Sequence, residues 1–266
     1  QFLNEIPGVV GCHEGHLGND SGPDVLPMIN LENNRCFADP EFARVVVAQK
    51  RNSEIVAKAL QEFGGDVLVD VAYYNSMILE ALLETSPNAR AVCIIRDCES
   101  FVRSATWQSG EDPMPVGWPD PSKNLTTRER FIAMGRVRPP FEPEKSEWDR
   151  WSAIERNIWL WKVTNERILS AASRFPGRIT VSQFNAFTND TERFMLATMS
   201  ALGVDPKLDW QSSYGTLKNA ANERLNQRVG GYQIGEASTW HNHEIDLLQI
   251  AEESIKTLMR NVRWTQ

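Results

Sequence analysis

The segment Val92-Cys93-Ile94-Ile95-Arg96-Asp97, running on to Ser104, carries the clearest chemistry in the sequence. Four consecutive apolar residues read as a buried strand, and Phe101, Val102 and Ala105 after Asp97 fall at helical spacing. Asp97 is placed to cap that helix. Arg96 then sits at the carboxyl end of the strand, where open α/β sheets bind ligands, with Ser104 about two turns into the helix. A guanidinium grips a phosphate through its two-pronged fork, and a hydroxyl adds a third donor. The plainer reading of Arg96 is a surface ion pair with Asp97.

A second constellation is His13, Glu14 and His16, in a loop that follows the apolar run Val9-Val10. Glu14 is a candidate general base, because burial raises a carboxylate toward the range where it abstracts protons. His13 is the alternative, since imidazole titrates near neutrality. Zinc is disfavoured, because the remaining histidines stand far off at 241 and 243. Lys218 and Arg228, in the polar stretch 211–239, are candidate anion ligands; ordinary solvated cations are the competing reading.

These residues need elements to hold them. Residues 8–12 and 67–71 read as short buried strands, and 179–182 as another. Residues 13–38 read as a polar loop. Helices are expected over 40–63, 74–85, 148–173, 191–202 and about 244–261. Gly64-Gly65 ends the first of these; Asp190 caps the fourth and Gly203 closes it. Strands alternating with helices predict an α/β domain with a mostly parallel sheet covered on both faces. Residues 109–147 differ: half of the 14 prolines fall there, with Arg128, Arg130, Arg136 and Arg138. Such a segment reads as a lid over a substrate or as a solvated insertion.

The 266 residues fit one domain with a substantial core. A net charge of −7 argues against broad nucleic-acid binding. No apolar run approaches the roughly 18 residues that a bilayer crossing needs. The four cysteines lack C-x-x-C spacing and read as mostly free thiols, which favours a soluble, cytoplasmic protein over one from the secretory lumen. Phe2, Leu3 and Ile6 read as the last turn of a helix already under way, so the sequence is expected to begin mid-domain.

Arg96 and Ser104, eight apart on a strand–helix junction after Pro87-Asn88-Ala89-Arg90, resemble the 3′-phosphate-binding segment of sulfotransferases that use 3′-phosphoadenosine 5′-phosphosulfate (PAPS). The resemblance spans nearly the whole chain and is nearest the branch of tyrosylprotein sulfotransferases and related bacterial enzymes. Pro7-Gly8-Val9-Val10 with Cys12-His13-Glu14 is similar to the branch's segment bearing the catalytic glutamate, with Glu14 in register. Trp159 or Trp161 with Asn165, then Phe175-Pro176-Gly177-Arg178 and Leu202-Gly203-Val204, resemble its later elements. Lys218 and Asn219, then Trp240, resemble the region that closes over the nucleotide. This implies a P-loop-type three-layer fold, PAPS as co-substrate and no metal. The acceptor, a hydroxyl or amine on a peptide, carbohydrate or small metabolite, is left open, as is the oligomeric state.

Three features depart from that family. The loop that cradles the phosphosulfate is absent, and His16-Leu17-Gly18-Asn19-Asp20-Ser21-Gly22 is a poor substitute. The strand that feeds that loop is central in the family's sheet, so upstream residues are expected. A lysine often found after the third strand falls near Val71, and a tyrosine after the 179–182 strand is Phe184. A non-catalytic binding module on the same fold therefore stays open. A P-loop nucleotide kinase is disfavoured, because no G-x-x-x-x-G-K-[ST] occurs.

Overall fold

A computed structural model describes residues 6, 8–13, 16–17, 32–62, 64–106, 136–204, 234–260 and 262, with His13, His16, Leu17, Ile55, Ala59 and Thr106 described by backbone alone. Among the described residues there are five strands: β1 (Val9–His13), β2 (His16–Leu17), β3 (Val67–Val71), β4 (Ala91–Ile95) and β5 (Ile179–Gln183). The helices are α1 (Asn33–Ala38), α2 (Pro40–Arg51), α3 (Glu54–Glu62), α4 (Leu79–Thr85), α5 (Cys98–Thr106), α6 (Glu144–Glu147), α7 (Ala153–Arg174), α8 (Phe184–Asn189), α9 (Thr191–Leu202) and α10 (Asn242–Met259).

The fold mixes helix and strand, as expected of an α/β domain, and among the described residues the strands form two short sheets. In the first, β1 lies between β2 and β3, parallel to β3 and antiparallel to β2. Cys12 stands opposite Asp70 and His13 opposite Val71. In the second, β4 and β5 run parallel, with Ile95 opposite Gln183. Both βα turns after β3 and β4 therefore emerge at carboxyl ends of parallel strands, the edge at which such sheets bind ligands.

Local chemistry explains the boundaries. Asp39 caps α2 by accepting from the backbone N–H groups of Glu41 and Phe42 at 3.0 and 3.2 Å, with Pro40 at the first helical position. The single helix expected over 40–63 is two, broken at Asn52-Ser53, where short polar side chains compete for backbone hydrogen bonds. Asp190 caps α9 by accepting from the Arg193 N–H at 3.0 Å. Gly203 ends α9 at φ 75°, a left-handed conformation that glycine alone adopts without a Cβ penalty. The expected helix over 74–85 begins as a 3₁₀ turn (Tyr73–Met77) before α4, and the one over 148–173 begins as a 3₁₀ turn (Trp148–Arg150) before α7. The loop expected over 13–38 contains β2 and α1, and α8 was not expected at all.

Two apolar cores meet along α7. One packs β4, β5, α5 and α10 around Ile95, Val102, Trp161, Val181 and Ile255. The other packs α1, α2 and the 73–77 turn around Val47, Met77, Ile78, Trp148 and Leu160. Leu160 and Trp161 are neighbours on α7 that face different cores, so this one helix ties them together. Its start is locked twice. Ser152 and Glu155 form a capping box, and the Ser152 hydroxyl donates to Glu244 Oε1 at 2.7 Å. The other carboxylate oxygen of Glu244 accepts from the His241 N–H at 3.0 Å at the start of α10.

Of the proline-rich segment, 136–147 falls among the described residues. Arg136 is buried there, donating to Asn157 Oδ1 at 2.8 Å and to the Ala105 carbonyl at 3.2 Å. Burial lowers its pKa below the ordinary arginine value. Asn34 clamps the same stretch, donating to the Arg136 carbonyl at 3.0 Å and accepting from the Arg138 N–H at 2.8 Å. Arg136 is thus a structural anchor. No helix among the described residues is long and apolar enough to cross a membrane.

Candidate functional site

Arg96 leaves the carboxyl end of β4 directly after the buried Ile95. Its backbone carbonyl accepts from the Trp161 indole N–H at 2.8 Å, which ties the strand end to α7. Asp97 turns the chain into α5: its Oδ1 accepts from the Ser100 N–H at 2.8 Å, and its Oδ2 accepts from the Ser100 hydroxyl. That hydroxyl in turn accepts from Arg96 Nε at 2.8 Å. The guanidinium is therefore oriented by Ser100, which is itself fixed by the helix cap. Its carbon lies 5.2 Å from the centroid of the Phe184 ring, within cation–π range.

These groups line a cavity of about 430 Å³. Arg96, Asp97 and Ser100 form one wall, and Gln183, Phe184, Asn185 and Thr188 at the β5–α8 junction form another. Trp161, Ile255 and Met259 supply apolar floor, and Glu252 and Lys256 of α10 complete the rim. Those two are ion-paired at 3.5 Å. A volume of this size suits a small organic ligand. The lining offers a guanidinium for an anionic group, an aromatic face for a planar ring, and amide and hydroxyl groups for hydrogen bonding.

Arg96 thus lies in a cleft at a strand terminus, and the hydroxyl beside it belongs to Ser100. Ser104 lies one turn further along α5, half-buried, and is not among the lining residues. The backbone of His13 ends β1 opposite Val71. Glu14, Lys218 and Arg228 lie outside the described residues, as does the 107–135 portion of the proline-rich segment. Ser100 carried a usable signal, since it stands three residues after the helix cap. The α8 wall did not: Gln183 to Thr188 shows no periodicity that announces a helix or a site.

A second polar group closes the carboxyl ends of β1 and β3. Asp70 is ion-paired with Lys50 from α2, accepts from Asn75 Nδ2 at 3.0 Å, and accepts from the Cys12 thiol at 3.4 Å. Lys50 also donates to Asn75 Oδ1 at 3.4 Å. The cation at this strand end therefore comes from α2, where Val71 supplies none. Among the described residues, no three His, Cys, Asp or Glu side chains converge as metal ligands.

Compared with family models, with curated proteins and with solved structures, the chain matches none. The functional reading therefore rests on the residues themselves.

Proposed function

We propose that this chain is a PAPS-dependent sulfotransferase of P-loop-type three-layer architecture, moving a sulfonate group to a hydroxyl or amine. One observation carries the reading. Arg96, at the carboxyl end of a parallel strand, is aimed by Ser100 and flanked by the Phe184 ring in a cavity of about 430 Å³. A nucleotide that bears both a phosphate and a purine ring meets those groups with matching chemistry.

In this reading Arg96 holds the 3′-phosphate, with Ser104 as a further donor from the same helix and Lys218 and Arg228 as cations from the C-terminal region. Phe184 stacks on the base. The acceptor oxygen or nitrogen attacks sulfur in line. The bond from sulfur to the 5′-phosphate oxygen breaks and its electron pair stays on that oxygen, giving adenosine 3′,5′-bisphosphate. The acceptor's proton passes to Glu14, or to His13. Such a transfer depends on positioning and charge stabilisation, as phosphoryl transfer does.

Calorimetry with adenosine 3′,5′-bisphosphate tests the site. The unaltered protein binds it, and Arg96→Ala weakens binding by about 2–3 kcal/mol, as loss of a charge-assisted contact should. Equal affinity in the two proteins removes the assignment. The apolar, exposed Val71 and the hydroxyl-free Phe184 favour a second reading, a nucleotide-binding module that transfers nothing. Turnover of PAPS separates the two: Glu14→Gln lowers turnover and spares nucleotide affinity if the chain is an enzyme.

A further inference from the structure

The last turns of α10 present one stripe to the cavity. Glu252, Ile255, Lys256 and Met259 stand at i, i+3, i+4 and i+7, the spacing of a single helix face, and all four line it. Ile255 is 1% exposed and packs in the same core as Ile95 and Trp161, which fixes the rotation of this face. Glu252 and Lys256 stand on either side of Ile255. Their ion pair, 3.5 Å from Nζ to Oε2, is 59% exposed at the lysine side chain and 30% at the glutamate. A pair so exposed on one helix contributes little to stability, so its members exchange readily for other partners.

Among the described residues, the lining carries two cations from different elements, each coupled to a carboxylate. Arg96 comes from the end of β4 and reaches Asp97 through the Ser100 hydroxyl. Lys256 comes from the last turn of α10 and meets Glu252 directly. The two carboxylates differ in how firmly they are held. Asp97 also accepts from the Ser100 N–H at 2.8 Å as the cap of α5, so its place is fixed by the backbone. Glu252 lies on an exposed helix face beside the lysine it pairs with. Lys256 also stands where the helix dipole is negative, so an anion bound at this end of α10 depends on the ammonium.

We propose that Lys256 is a second anion ligand of the cavity, and that Glu252 is a built-in competitor that occupies it until the ligand arrives. The ligand class this selects carries two separated anionic groups, one for Arg96 and one for Lys256. A ligand with a single phosphate engages Arg96 and leaves the Lys256–Glu252 pair closed. The inference rests on the reading of the cavity as a nucleotide site, and within that reading it assigns a residue to the phosphate that Arg96 does not hold.

Titration calorimetry with adenosine 3′,5′-bisphosphate and with adenosine 3′-phosphate tests it. Lys256→Gln should weaken the bisphosphate about 10-fold, as loss of one charge-assisted contact does, and leave the monophosphate unchanged. Glu252→Gln should tighten the bisphosphate about threefold by removing a weak competing pair, a gain that damage to the fold cannot produce. That gain should vanish in the double variant Glu252→Gln/Lys256→Gln, because the two residues act on one contact. Glu253→Gln removes the same charge from the next position of α10, where Glu253 pairs with Arg260 at 3.9 Å and does not line the cavity. It should change neither affinity. A gain equal to that of Glu252→Gln assigns the effect to net charge and overturns the proposal. Unchanged bisphosphate affinity in Lys256→Gln also overturns it, and the nucleotide site still stands if Arg96→Ala weakens binding. Equal weakening of both ligands by Lys256→Gln overturns it too, because the lysine then shares the phosphate on Arg96. If the unaltered chain binds neither ligand, the nucleotide reading falls and this inference falls with it.

Discussion

Trp161 donates its indole N–H to the backbone carbonyl of Arg96 at 2.8 Å, so a core residue of α7 fixes the strand end from which the guanidinium projects. Trp161 also lines the cavity. One side chain therefore joins the packing of the core to the aim of the candidate ligand.

Trp161→Phe keeps an aromatic ring in the core and removes the donor. We expect a stability loss of about 1–2 kcal/mol, combining a lost hydrogen bond to a buried carbonyl with a smaller ring. Urea unfolding measures it. Nucleotide affinity should fall as well, which a purely structural role for the indole would not produce.

Ser100 and Ser104 are separable. Ser100→Ala removes the acceptor of Arg96 Nε and a donor to Asp97, which weakens the hold on the guanidinium. Affinity for adenosine 3′,5′-bisphosphate should drop by about 1 kcal/mol, close to the worth of one hydrogen bond. If Ser104 also reaches the phosphate, Ser104→Ala costs a similar amount; if Ser104 is only half-buried packing, its substitution is silent. Titration calorimetry on the two variants decides between them.

The starts of the two long helices share Ser152 and Glu244. Ser152→Ala removes the α7 cap and the donor to Glu244 Oε1 together. The expected cost is about 1–2 kcal/mol, at the upper end for a helix cap because a nearly buried carboxylate loses a partner. Ser152→Thr should recover most of it. Denaturant midpoints of the three proteins provide the check.

Alkaline pH should destabilise the fold through its thiols. Burial pushes Cys36 up from 9.0 to about 11 and Cys93 to about 12, and drives Cys98 upward as well. The folded state therefore holds these protons more tightly than the unfolded state. The stabilisation is complete below the ordinary thiol value near 9.0 and is lost as pH rises through the folded values of about 11 and 12. Unfolding free energies measured from pH 7 to 11 should decline above pH 9. Alkylation of these cysteines by iodoacetamide at pH 8 should be slow until denaturant is added.

The sequence by itself determined the elements whose signal is local. An unbroken apolar run marks β4, Asp97 starts the helix after it, and Asp190 and Gly203 bracket α9, because caps and short buried strands follow from a few neighbouring residues. Arg96 at a strand terminus was legible for the same reason. Tertiary structure decided the rest. The turn at Asp97 brings Ser100 to Arg96, and packing brings Phe184 across from β5 and Lys50 from α2 to Asp70. No spacing encodes those meetings, since each joins residues whose distance is set by how helices stack on strands. The division of the described strands into two sheets was likewise beyond the sequence, because short apolar runs mark β3 and β4 as strands while only their pairing assigns each to its sheet.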